Sequence, residues 1–114
     1  MRESTPRILT GMHAFAGEGY GSPVSIGVSY SVPADRRAQM LYVRAGNSAA
    51  EMVTLVLTRD GEPMRMFPIA AKGAVHIPLV VVEDLTPETK LELLVAAPSG
   101  TGGTLALDMG LVEI

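Results

Sequence analysis

Apolar and polar residues alternate along most of this chain, in runs of six to ten residues broken by Gly, Pro, Asp or Asn. A period of two marks strands with one buried face. Residues 24–32 are the cleanest case. Val24, Ile26, Val28, Tyr30 and Val32 fall on one face, and the other carries only Ser and Gly. After a turn at Pro33, Ala34, Asp35 and Arg36, the run 38–45 sets Leu41, Val43 and Ala45 on one face and Met40, Tyr42 and Arg44 on the other. Gly46, Asn47 and Ser48 break that run, as residues tolerant of positive φ do. Val53, Leu55 and Leu57 point inward from the run 51–59, and Asp60-Gly61 is the strongest hairpin signal in the chain.

Runs at 64–70, 74–82, 89–97 and 104–113 complete the pattern. Pro68 and Pro78 mark the first two of these as edge or irregular strands. Residues 83–88 read as a loop, and 98–103 as a Gly-rich hairpin tip. Seven to eight strands with no helical period predict an all-β fold: an antiparallel β-sandwich, jelly-roll-like or Ig-like. Residues 1–23 hold Pro6, Gly11, Gly17, Gly19, Gly21 and Pro23 and leave room for one short strand over residues 7–12. They read as a Gly/Pro-rich N-terminal arm on a sandwich domain of residues 24–114. Such an arm packs along its own sandwich or reaches a neighbour. Ile8, Leu9, Met12, Phe15 and Tyr20 are its candidate interface side chains.

Composition adds an argument for self-association. Hydrophobic residues make up 47% of the chain and the mean hydropathy is +0.29. The longest strongly apolar stretch, residues 77–82, is far shorter than the ~20 residues of a spanning helix. The expectation is apolar surface buried between subunits: a homo-oligomer, with no membrane partner. The polar first residues do not form a secretory leader. With no cysteine there is neither a disulfide framework nor a thiolate metal site, and folding in the cytosol is expected. A net charge of −3 provides no electrostatic footprint for nucleic acid.

Candidate chemistry is sparse. His13 and His76 stand far apart, with no neighbouring ligand at metal-binding spacing. Glu83-Asp84 lacks the oxygen-rich loop of a calcium site. Gly17, Gly19 and Gly21 precede no helix, so they do not form a phosphate loop. No serine sits in a nucleophile elbow. The chain is therefore expected to be non-enzymatic, with no catalytic residues, cofactor or metal. Seven methionines suit either a core or a deformable interface.

One stretch carries a family likeness. Val43-Arg44-Ala45-Gly46-Asn47-Ser48-Ala49-Ala50 leads into Val53-Thr54-Leu55-Val56-Leu57. A Gly hairpin, Ile69-Ala70-Ala71-Lys72-Gly73 and an apolar run at 75–79 follow. Then come Lys90-Leu91-Glu92-Leu93-Leu94-Val95-Ala96-Ala97, a Gly tip and residues 107–114. This order of strands, over residues 24–114, resembles small β-sandwich virion proteins of tailed phages and gene transfer agents, of the head spike base and head decoration type. The resemblance implies a structural component that oligomerises, binds a capsid protein and holds a spike or fibre protein. It implies assembly in the bacterial cytoplasm and display on the virion or phage-like particle surface, with host surface glycans contacted indirectly. It supplies no site residue. The alternative is a carbohydrate-binding or adhesin-like β-sandwich module, for which the aromatics are Phe15, Tyr20, Tyr30, Tyr42 and Phe67. Under the virion reading, removal of residues 1–22 is expected to leave a folded sandwich that no longer joins its particle.

Overall fold

The computed structural model describes residues 3–114. Its elements are β1 (Thr5–Ala16), β2 (Val24–Ser31), β3 (Ala38–Asn47), β4 (Val53–Arg59), β5 (Glu62–Ile69), β6 (Ala74–Pro78), β7 (Asp84–Leu85), β8 (Lys90–Ala96) and β9 (Gly102–Glu113). One sheet runs β1-β9-β3-β6, with β7 also paired to β3; the other runs β2-β8-β4-β5. Their pairings are antiparallel. The fold is thus an all-β antiparallel sandwich, as the alternation predicts. The nine strands among the described residues exceed the seven to eight expected, because two residues of the supposed loop 83–88 dock as β7 on Ala38 and Gln39. Among the described residues no helix is long and apolar enough to cross a membrane.

The core lies between the two sheets. Leu55 and Leu57 of β4, Leu91 and Leu93 of β8, and Leu105, Met109 and Leu111 of β9 are almost wholly buried there. On β3 the expected faces hold only in part. The register slips between Met40 and Tyr42 against β9. This bulge turns Met40 into the core beside Val43 and Ala45 and leaves Leu41 outside. An extra residue in one strand re-aims the side chains on either side of it.

The turns show which local signals governed. Asp60 and Gly61 take φ of 50° and 85°, the pair of positive values that a two-residue type I′ hairpin needs. The Asp60 carboxylate also accepts the Lys90 amide at 2.9 Å. Asn47, expected to supply positive φ, acts instead through its side chain. Its amide donates to the carbonyls of Glu51 (2.9 Å) and Ala70 (3.2 Å) and accepts from the Ala49 amide (2.9 Å). One buried side chain thereby ties the β3–β4 turn to the β5–β6 turn. Pro68 and Pro78 lie in β5 and β6, both edge strands, where a missing amide breaks no ladder.

The expected N-terminal arm is, over Thr5–Ala16, a full strand paired with β9 from Thr5↔Glu113 to Ala16↔Gly102. Thr10, Gly11 and Ala14 blur its alternation, which is why composition reads it as loop. Its inward residues join the domain's own core: Phe15 is 7% exposed and Leu9 packs against the cluster. At the far end Arg7 reaches the buried carboxylate of Glu113 at 3.2 Å, and the Tyr30 hydroxyl donates to the same oxygen at 2.5 Å. The Tyr30 hydrogen bond is the main cause that holds Glu113 below the usual carboxylate range. Burial opposes it, and Arg7 reinforces it. Burial, and then this bond, push the Tyr30 phenol up.

Two outcomes follow from the β1–β9 end of the sandwich. Deleting residues 1–16 removes Phe15 from the core, Arg7 from Glu113 and the whole β1–β9 ladder. The truncated chain is expected to lose its cooperative thermal transition, contrary to the folded remainder that an arm implies; calorimetry checks this. Glu113→Gln is expected to cost about 2 kcal/mol at neutral pH, as hydrogen bonds to a charged group do. Because the folded-state pKa is depressed, that contribution is present above the unfolded value of ~4.3 and fades as pH falls through the lower folded value. Urea unfolding from pH 7 to 3 should therefore show a shallower acid limb in the variant than in the parent.

Candidate functional site

Register across the five-stranded sheet places three rows on its outer face. Met12 lies beside Ala106, Ala106 beside Gly46, and Gly46 beside Ala74. The next row is Thr10, Asp108, Arg44 and His76, and the third is Ile8, Gly110, Tyr42 and Pro78. The first row is built of small side chains with Met12 at one end. It floors an open cavity of about 430 Å³ whose walls include Arg44 and Asp108.

The other two rows form a polar cluster around one ring. Tyr42 lies flat over Gly110, where a Cβ at position 110 would collide with the ring. Its hydroxyl donates to Asp108 Oδ1 at 2.8 Å, and Arg44 stands 3.7 Å from Asp108 Oδ2. The Arg44 guanidinium sits 5.9 Å from the Tyr42 ring centroid, and His76 meets the ring edge-on at 6.1 Å. The hydrogen bond to Asp108 raises the Tyr42 phenol above its ordinary value, with burial adding to it. The Asp108 carboxylate is engaged twice, by the Tyr42 hydroxyl and by Arg44. The cluster offers an aromatic surface, a cation and an acceptor beside an apolar trough, which are the elements of a binding surface.

Other apolar side chains stand outside the core. On the four-stranded sheet, Met66, Val56 and Leu94 form a row across β5, β4 and β8, in which Val56 is itself buried. Met66 is 62% exposed, and Val80 in the turn between β6 and β7 is 93% exposed. The methionines divide accordingly: Met40 and Met109 fill the core, while Met12, Met52 and Met66 face outward.

The candidate interface residues do not share one surface. Ile8 and Met12 stand on the outer face described above, Leu9 and Phe15 face inward, and Tyr20 is half exposed with its hydroxyl on the Met52 carbonyl at 2.8 Å. Alternation along a strand separates them. Glu83 and Asp84 are held apart by Arg65 (3.0 Å) and Arg37 (2.6 Å), and no group of three metal-ligating side chains converges among the described residues. Sequence reasoning missed the Tyr42 cluster because Asp108 lies far along the chain from Tyr42 and Arg44. The signal available was Tyr42 and Arg44 two residues apart on the face opposite Val43.

The sequence matches no protein-family model and no curated protein. Solved structures share the fold. The CBM36-1 domain of a multidomain xylanase from the hindgut metagenome of Trinervitermes trinervoides superposes with a TM-score of 0.59 at 16% identity, over 95% of this chain and 96% of that one. A family 35 carbohydrate-binding module from Clostridium thermocellum gives 0.50 at 12% identity, over 95% and 90%. A chain of infectious bursal virus-derived T=1 particles gives 0.51 at 15% identity, over 97% of this chain but 31% of that one. At such identities the likeness establishes the β-sandwich, and β-sandwiches of this shape occur both in carbohydrate-binding modules and in virus particles.

Gly110→Ala tests the geometry of the cluster. The added methyl group displaces the Tyr42 ring and breaks its bond to Asp108 while the sandwich stays folded. One of the three tyrosines should then titrate closer to pH ~10, the unperturbed value, than it does in the parent. Phenolate absorbance against pH reads this directly.

Proposed function

We propose that this chain is a non-enzymatic structural component of a phage-like particle: a sandwich that self-associates, rests on the capsid and holds a spike or fibre protein. In this reading it is assembled in the bacterial cytoplasm and displayed on the particle surface. The observation that carries it is the apolar surface left outside the core. Ile8 and Met12 on one sheet, Met66 on the other and Val80 and Val81 in a turn are each more than 60% exposed. Large exposed apolar side chains at several places on so small a domain are what protein partners cover. The likeness to a chain of virus-derived particles supports a particle setting by fold analogy.

A second reading, a carbohydrate-binding module, is favoured by one observation: the Tyr42, Arg44, His76 and Asp108 cluster beside its trough. The whole-length likeness to two carbohydrate-binding modules adds to it. Against it, a single ring provides the stacking surface on that face.

Fractionation separates the two. A tagged copy is expressed in the bacterium that carries the gene, and particles are isolated on a density gradient. The chain is expected to band with the capsid protein. A chain confined to the free protein fraction that binds a glycan array through Tyr42, with binding lost in Tyr42→Ala, would overturn the particle reading in favour of the second.

A further inference from the structure

The sandwich has four edges, and three of them carry devices that block strand addition. The β2 edge is bulged between Ser25 and Val28, with Gly27 at φ +78°. The β5 edge carries Pro63 and Pro68 and is bulged against β4. The β6 edge is five residues long and ends in Pro78. Bulges, prolines and short length are the usual means by which an edge avoids pairing with another chain. β1 is different. It runs for twelve residues without a register slip against β9, and its one proline, Pro6, lies next to its start. In an antiparallel sheet, about half the residues of such an edge aim both backbone groups away from their partner.

We infer that β1 is the self-association edge: two copies pair their β1 strands antiparallel about a two-fold axis at Thr10, joining two sheets into one. The inference rests on the self-association in the proposed function and names its geometry. The residues around Thr10 are self-complementary. In this register Ile8 of one copy stands opposite Met12 of the other, twice by symmetry, on the outer face. These two side chains are 62% and 72% exposed in the single chain, and cross-strand apolar pairs are the stabilising unit of a sheet. On the inner side Leu9 meets Gly11, over which the His13 ring of the same chain lies. Arg7 meets His13, and Arg7 is already matched by Glu113. The cleft between β1 and β2, of about 310 Å³ and lined by Leu9, His13, Gly27 and Val28, leaves this edge open. Within it the buried Nε2 of His13 has no hydrogen-bond partner among the described residues. The two-fold arrangement is closed, so it ends at a dimer rather than a fibre.

The absence of cysteine makes the register directly testable. At the axis, the two Thr10 Cα atoms would stand about 4.5–5.5 Å apart, within the span a disulfide bridges. The full-length Thr10→Cys variant is expected to form a covalent dimer under mild oxidation, whereas Ser29→Cys on the β2 edge remains monomeric on a non-reducing gel. Met12→Lys places a charge opposite Ile8 twice per dimer. It is expected to weaken dimerisation by roughly tenfold or more in light scattering with the β-rich circular dichroism spectrum of the parent retained. Oligomers that persist while Thr10→Cys fails to cross-link would overturn β1 pairing and leave the particle reading standing. A chain that is monomeric at every concentration would also overturn the pairing, while banding with particles would still report separately on the assembly reading. Equal cross-linking at both cysteines would overturn it as well.

Discussion

The pairing of β9 on both of its sides is the constraint on which this molecule depends. β9 carries β1 along one edge and β3 along the other, so the five-stranded sheet exists only through it. Its inward side chains, Leu105, Leu107, Met109 and Leu111, are buried against the opposite sheet. Its outward ones, Ala106, Asp108 and Gly110, form the centre of the outer face of that sheet. Each residue on this strand is thus committed to the core or to the outer face, and Gly110 serves both the sheet and the Tyr42 ring. Its last residue, Glu113, is a buried charge matched by Arg7 and Tyr30. Breaking such a match leaves an uncompensated ion inside the protein.

Much of this arrangement is legible in the residues. The alternation of Val24, Ile26, Val28 and Tyr30 marks β2, and Asp60-Gly61 marks the β4–β5 hairpin with its turn type. Pro68 and Pro78 place their strands at edges. The misreadings have physical causes. Pro6 and Gly11 lend β1 loop character within a real strand, and its partner lies at the opposite end of the sequence, so nothing local announces it. β7 is too short for a period to register. The bulge at Met40 inverts a face assignment that strict alternation had assigned to Leu41, because a slip of one residue is invisible until the neighbouring strand is known. The Tyr42 cluster was least legible of all. Tyr42, Arg44, His76 and Asp108 come from three strands, and only the lateral register makes them neighbours.

The distribution of charge and apolar area separates the two outer faces. The five-stranded sheet presents ion pairs and one aromatic ring next to a trough of small residues. The four-stranded sheet presents Met66 and the half-buried Leu94, with the buried Val56 between them and serines toward β2. Two chemically distinct faces can discriminate between different partners. Methionine at exposed positions suits surfaces that must adapt to a partner, since its side chain is unbranched and polarizable.

The pairing of the first strand with the last also dictates how the chain can be made. During synthesis the β4–β5 hairpin can form first, and the four-stranded sheet can be completed once β8 has emerged, because β2, β4 and β5 precede it. β1 has no partner until β9 emerges, some ninety residues later. Loop closure over that separation is slow, since its entropy must be lost before any contact repays it. Throughout that interval Ile8, Leu9, Met12 and Phe15 are presented as an unpaired apolar strand to whatever the nascent chain meets. The same edge that would join two finished copies is therefore the segment most in need of protection on the ribosome, and the order of strands makes its capture the final event of folding.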